Sequence, residues 1–260
     1  MDEIIKNKNS SFERYKNLLL ARDAYKKEAF IIEREYTCKF GDLIIKVFEK
    51  KLECVRKKKT IEYCQRSINQ GLVVDAKALQ AYVDDIMKTL NQQLDDMIED
   101  NNNAKNKGTI SEAELMEVKK LYHKMVKSIH PDINPMVNES DELQALWNNI
   151  VTAYKCNDLK YLKELDLLFD IVVQENGFDE LEIDIPDIDD RIAALMAEIE
   201  RIRTTDPYMY KFILLDPDSI RRKNQELIDE YQEYEEYSNQ LEELLEGFIG
   251  KGVTFKWEMN

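Results

Sequence analysis

The chain of 260 residues contains two histidines, His123 and His130, and with Asp132 close behind the second they are where acid–base or metal chemistry would first be sought. Two imidazoles and one carboxylate fall short of the four ligands a tetrahedral zinc site takes. Cys38, Cys54, Cys64 and Cys156 do not complete the set, because they form no Cys-x-x-Cys pair and none stands at a ligand spacing from a histidine. They read as reduced thiols. "GFIGKG" at 247–252 lacks the preceding strand and the following Ser or Thr of a phosphate loop, and no Ser or Cys stands beside a plausible base. No enzyme is therefore expected, and no metal or cofactor. What remains is the tripeptide His130-Pro131-Asp132 within "SIHPDINP", where Pro131 removes a backbone donor and pushes the preceding residue out of the α region, ending a lysine-rich helical run.

The elements around that turn are legible. Ser111 is a natural N-cap, Glu112 and Glu114 give an acidic first turn, and lysines crowd the last turns before Pro131 stops the helix, which predicts a helix over 112–129. Val118, Leu121, Tyr122, Met125 and Ile129 fall on one side of it, and Lys119, Lys120, His123, Lys124 and Lys127 around the other. A second helix, about 139–155, carries Trp147, Ile150, Ala153 and Tyr154 at packing spacing, and "NDLKYLKELDLLFDIV" continues as a third.

"LYHKMVKSIHPDINP" (121–135) and "LWNNIVTAYKCNDLKYL" (146–162) together resemble the J domain of the DnaJ family of co-chaperones. The resemblance covers roughly residues 106–165. It implies an antiparallel helix pair whose His-Pro-Asp loop and basic helix face dock a DnaK-type chaperone and stimulate its ATPase, with no covalent step in this chain. On that reading Asp132 offers its carboxylate to an arginine of the chaperone, Pro131 keeps the loop preformed, His130 orients it, and Lys119, Lys120, Lys124 and Lys127 steer the helix to an acidic surface. The sequence departs from the family in several places. "NNNAKNKG" stands where the opening Tyr-containing helix belongs, "CNDLKYLKEL" replaces the basic fourth helix, and there is no Gly/Phe-rich segment or cysteine-rich module.

The remainder reads as long helices. Only 7 Gly and 5 Pro occur, hydrophobic residues make up 43% and charged residues 34%, so an all-α protein is expected. From Phe12 to Ile68 there is no proline and one glycine, and Ile45, Phe48, Leu52 and Val55 share a stripe; a turn at 69–75 leads to a second helix, about 76–99. Residues 1–105 are read as a long-helix hairpin, the polar run 99–109 as a linker, 106–169 as the J-like part, 170–187 as an acidic connector, and 188–260 as a second hairpin. In the last, Ile188, Ile192, Leu195, Ile199 and Ile202 face Leu227, Tyr231, Tyr234, Ser238, Leu241, Leu245 and Phe248 at coiled-coil spacing, which also suits a homo-oligomer.

Charge narrows the partners. With 52 acidic and 37 basic residues the net charge is −15, which disfavours nucleic acid or an anionic membrane as ligand of the whole surface. The dense basic run Lys50–Lys59 is read as attracting acidic parts of the same chain: Asp216–Glu246 holds eleven acidic and three basic residues. Salt-sensitive nucleic-acid binding by that run is the weaker reading. The start "MDEIIKNKNSSFERY" lacks the apolar core of a signal peptide, and no stretch suits a bilayer, so a cytoplasmic protein is expected. The alternative to a co-chaperone is a helical scaffold or regulatory interaction module that keeps a J-like fold without stimulating a chaperone.

Overall fold

A computed structural model describes residues 2–106, 110–176 and 187–249. Every regular element among them is an α-helix: α1 (Asp2–Asn69), α2 (Ala76–Asn106), α3 (Glu112–Ile129), α4 (Met136–Glu139), α5 (Asp141–Lys155), α6 (Leu159–Asn176), α7 (Ile188–Thr204), α8 (Tyr210–Leu215) and α9 (Pro217–Ile249). The all-α expectation holds. No helix among the described residues is long and apolar enough to cross a membrane.

The chain divides into two compact units that cut across its linear order. One comprises Met1–Glu33 with Gly108–Tyr210, the other Arg34–Lys107 with Lys211–Asn260, so α1 contributes its first part to one unit and the rest to the other.

In the first unit α3, α5 and α6 enclose a core of Val118, Tyr122, Met125, Ile129, Leu146, Ile150, Tyr154, Leu162, Leu165 and Phe169. Helix α3 starts where the sequence places it, because the Ser111 hydroxyl accepts from the Glu114 amide while the Glu114 carboxylate accepts from the Ser111 amide, a complete capping box. Tyr122, mid-helix in α3, stacks on Tyr154 near the end of α5 with ring centroids 3.8 Å apart, and His130 meets Trp147 near the middle of α5 at 4.7 Å. Moving towards the C-terminus of α3 thus moves towards the N-terminus of α5, so the two run antiparallel around the turn. A second cluster packs Tyr15 and Leu19 of α1 against Ile133 of the turn and Ile192 and Leu195 of α7. The α7 seam was expected to pair with the final helix; here Ile192 and Leu195 find their cover on α1.

In the second unit Leu52 and Cys64 of α1 pack with Leu79, Val83 and Met87 of α2, while Phe40 and Val47 pack with Leu227, Tyr231 and Tyr234 of α9. The polar run expected to be a linker is helical through Asn106. Asn101 and Ala104 are buried, Asn101 Nδ2 donates to Asp42 at 2.7 Å and Lys105 pairs with the same carboxylate, so α1 supplies what these polar residues lack locally. Residues 107–109 lie outside the described residues. The match of basic run to acidic helix is carried chiefly by Lys57, which reaches Glu242 at 2.7 Å and Ser238 Oγ at 2.9 Å, whereas Lys50 and Lys59 pair with Glu53 and Glu62 of their own helix, Lys50 also lying in the field of Glu235. Desolvation works to raise the pKa of Glu53, yet hydrogen bonds from Lys50, Lys57 and Ser238 outweigh it and hold the carboxyl down at about 2. Most of the expected acidic connector (177–186) and all of the tail "GKGVTFKWEMN" (250–260) lie outside the described residues.

Candidate docking site at the His-Pro-Asp turn

Pro131 cannot donate a backbone hydrogen bond, so the turn is built by its neighbours. The His130 carbonyl accepts from the amides of Ile133 at 2.9 Å and Asn134 at 2.8 Å. Asn134, itself buried, donates from Nδ2 to the Ser128 carbonyl and accepts the Met136 amide on Oδ1, pinning the end of α3 to the start of α4. Asn138 closes the outside of the loop by donating to the Pro131 carbonyl at 3.3 Å. The result is a preformed turn whose ordering cost is met within the fold.

The three motif residues then separate. His130 is only 2% exposed, and burial foremost pushes its pKa down to about 4, so the ring is neutral near pH 7. Pro131 is half-buried, and the Asp132 side chain keeps 41% of its surface. Of the steering lysines, Lys119, Lys120 and Lys127 are exposed and make no ion pair among the described residues. Lys124 differs in its surroundings: its ammonium lies 2.9 Å from Asp166 and 2.7 Å from Asp170 of α6, so part of its charge is neutralised within the fold.

The structure also brings to the turn residues that the sequence reading missed. Arg22 of α1 donates from Nη1 to Asp132 Oδ2 at 3.2 Å and places Nη2 3.0 Å from His130 Nε2. The same guanidinium pairs with Asp23 at 3.0 Å, and Lys26 and Arg22 both reach Glu198 of α7. Asp23 accepts the Tyr122 hydroxyl at 2.6 Å; burial and the adjacent carboxylate raise that phenol far above its usual range, and burial with the same charge pushes Tyr154 up to about 12. Lys27, 4% exposed, sets its ammonium 3.9 Å above the Tyr154 ring with no hydrogen-bond acceptor among the described residues; desolvation, then Lys119, lowers its pKa to about 8. Arg22, Asp23, Lys26, Tyr122, His130, Asp132, Trp147 and Tyr154 are among the residues lining a cleft of about 270 Å³. A signal for two of these was present: Tyr15, Leu19, Arg22, Lys26 and Ala29 step by four and three, so the charges of Arg22 and Lys26 interrupt an apolar seam.

Neutral imidazole accepts on one nitrogen only. At His130 the Asp132 amide donates to Nδ1 at 3.0 Å while a guanidinium N–H faces Nε2, so one of the two donors lacks an acceptor there. The site thus offers a rigid carboxylate turn, an aromatic wall and a locally supplied arginine. Among the described residues no cluster of three or more His, Cys, Asp or Glu side chains is arranged to hold a metal ion. No family model, curated protein or solved structure matches this chain.

Proposed function

We propose that the unit carrying the turn is a J-domain-like co-chaperone module that docks a cytoplasmic DnaK-type chaperone, stimulates its ATPase and brings it to a client selected by the flanking helices. The observation that supports this most is the pairing of Asp132 with an arginine: the turn is preformed, its carboxylate keeps solvent access, and a guanidinium is the group it accepts. Lys119, Lys120 and Lys127 leave unneutralised positive charge on α3 to steer an acidic surface. Hydrolysis belongs to the partner, and this chain acts by binding.

Single-turnover ATP hydrolysis by a bacterial DnaK, with wild type, Asp132→Asn and Arg22→Gln proteins, tests the reading. Stimulation that Asp132→Asn removes is the expected result. Stimulation retained by Asp132→Asn, or none from either wild type or Arg22→Gln, sinks it. A second reading, a helical scaffold that keeps the turn for its own packing, is favoured by the burial of His130.

A further inference from the structure

Resting on the docking reading, we propose that α1 acts as a clasp in cis: Arg22 occupies the Asp132 carboxylate that a partner's arginine would take, and docking requires this contact to be exchanged. The contact joins residues 110 positions apart and is built into the packing of the first unit. Tyr15 and Leu19, two turns and one turn before Arg22, pack on Ile133 of the turn, and Lys26, one turn after it, is tied to Glu198 of α7. The guanidinium is therefore delivered to the loop by apolar packing on one side and an ion pair on the other. Arg22 is 13% exposed at its side chain, so it shields the turn while satisfying it.

The clasp is made to be exchanged. Among the described residues Asp132 receives a single guanidinium bond, at Oδ2, while the same guanidinium also serves Asp23 and, more distantly, Glu198. An incoming arginine free of those ties can present two parallel N–H groups to the carboxylate, a stronger and more directional arrangement. The His130 ring adds to the imbalance. When Nδ1 accepts the Asp132 amide the proton sits on Nε2, facing the Arg22 N–H, so this hydrogen bond within the turn opposes the approach of Arg22. Swinging of the Arg22 side chain away from the turn, with the α1 backbone in place, would relieve that opposition and open the cleft at His130 and Asp132, while Asp23 retains the Tyr122 hydroxyl.

The experiment uses the full chain as wild type, Arg22→Gln, Arg22→Glu and Arg22→Gln/Asp132→Asn, each checked for helicity by circular dichroism. Two readouts are taken. In the first, diethylpyrocarbonate labels neutral histidines and mass spectrometry reports His130 against exposed His123 as internal reference. Protection of His130 in wild type and its release in Arg22→Glu, where a carboxylate would face Asp132, Asp23 and Glu198, is expected; unchanged protection in both single variants overturns the clasp. In the second, the concentration giving half-maximal stimulation of a bacterial DnaK is expected to fall about tenfold in Arg22→Gln, the order of one freed charge-assisted contact. That gain should vanish in the double variant. Stimulation by folded Arg22→Gln equal to or weaker than wild type overturns the proposed control. Release of His130 with no stimulation by any variant upholds the clasp as a cover of the turn and removes the docking reading instead.

Discussion

Replacing Lys27 by methionine should stabilise the protein, against the usual result of altering a buried residue. The residue is 4% exposed, its ammonium is accepted by no oxygen among the described residues, and it lies within the field of Lys119. Folding moves its pKa from 10.5 to about 8, so the charged form is disfavoured in the folded state, by about 3 kcal/mol at pH 7. The Tyr154 ring 3.9 Å away returns part of this, up to about 2 kcal/mol for a desolvated cation over an aromatic face. The difference, about 1 to 2 kcal/mol, is the gain expected of Lys27→Met, whose unbranched chain fills the same channel without a charge. The pH dependence carries the sign. Between 8 and 10.5 the unfolded chain binds more protons at this position than the folded one, so wild-type stability at Lys27 rises with pH and the desolvation cost shrinks to about 1 kcal/mol by pH 10. Denaturant midpoints of wild type and Lys27→Met at pH 7, 9 and 10 measure it: the variant should lead at pH 7 and the two curves converge towards pH 10. A variant less stable at pH 7, or a lead that grows with pH, would refute the reasoning.

Two further outcomes follow from single sites. Gly41→Ala should destabilise despite a helix-propensity gain of about 1 kcal/mol, because the new Cβ would lie inside van der Waals contact of Asn101 Oδ1 and 2.9 Å from its Cγ, displacing the side chain that donates to Asp42. We expect a net loss of about 1 to 2 kcal/mol, turning into a gain when Gly41→Ala is made in an Asn101→Ala background; a stabilising single variant would contradict this. His130 is neutral when folded, with its pKa lowered from 6.5 to about 4, so its favourable contribution is complete above 6.5 and is lost as pH falls through 4. Wild type should lose up to about 3 kcal/mol more than His130→Gln over that window in denaturation experiments, and parallel pH profiles would dismiss the buried neutral ring.

Helix α3 shows how far local chemistry reaches. Its start, end and buried face were all readable, because a capping box, a proline stop and a 3.6-residue apolar repeat act within a few residues of one another. The run Glu99–Asn106 shows where it stops: three consecutive asparagines read as a linker, yet they continue α2 because Asn101 and Lys105 find Asp42 on α1. Lys124 shows the same limit, since nothing local to a basic helix face tells that α6 brings Asp166 and Asp170 beside it.

The sequence by itself determined that this chain is helical, that a rigid His-Pro-Asp turn ends α3, and that Trp147 and Tyr154 lie on the packing face of the next helix. Each of these depends on residue types at short separations. Only the tertiary structure decided what the turn faces. An apolar seam specifies that a helix face must be covered but does not name its cover, and the Tyr15 and Leu19 seam of α1 found Ile133 and α7. That choice carries Arg22 to Asp132, Asp23 to Tyr122 and Lys27 to Tyr154, pairings across 99 residues or more whose geometry comes from the non-directional burial of their apolar neighbours.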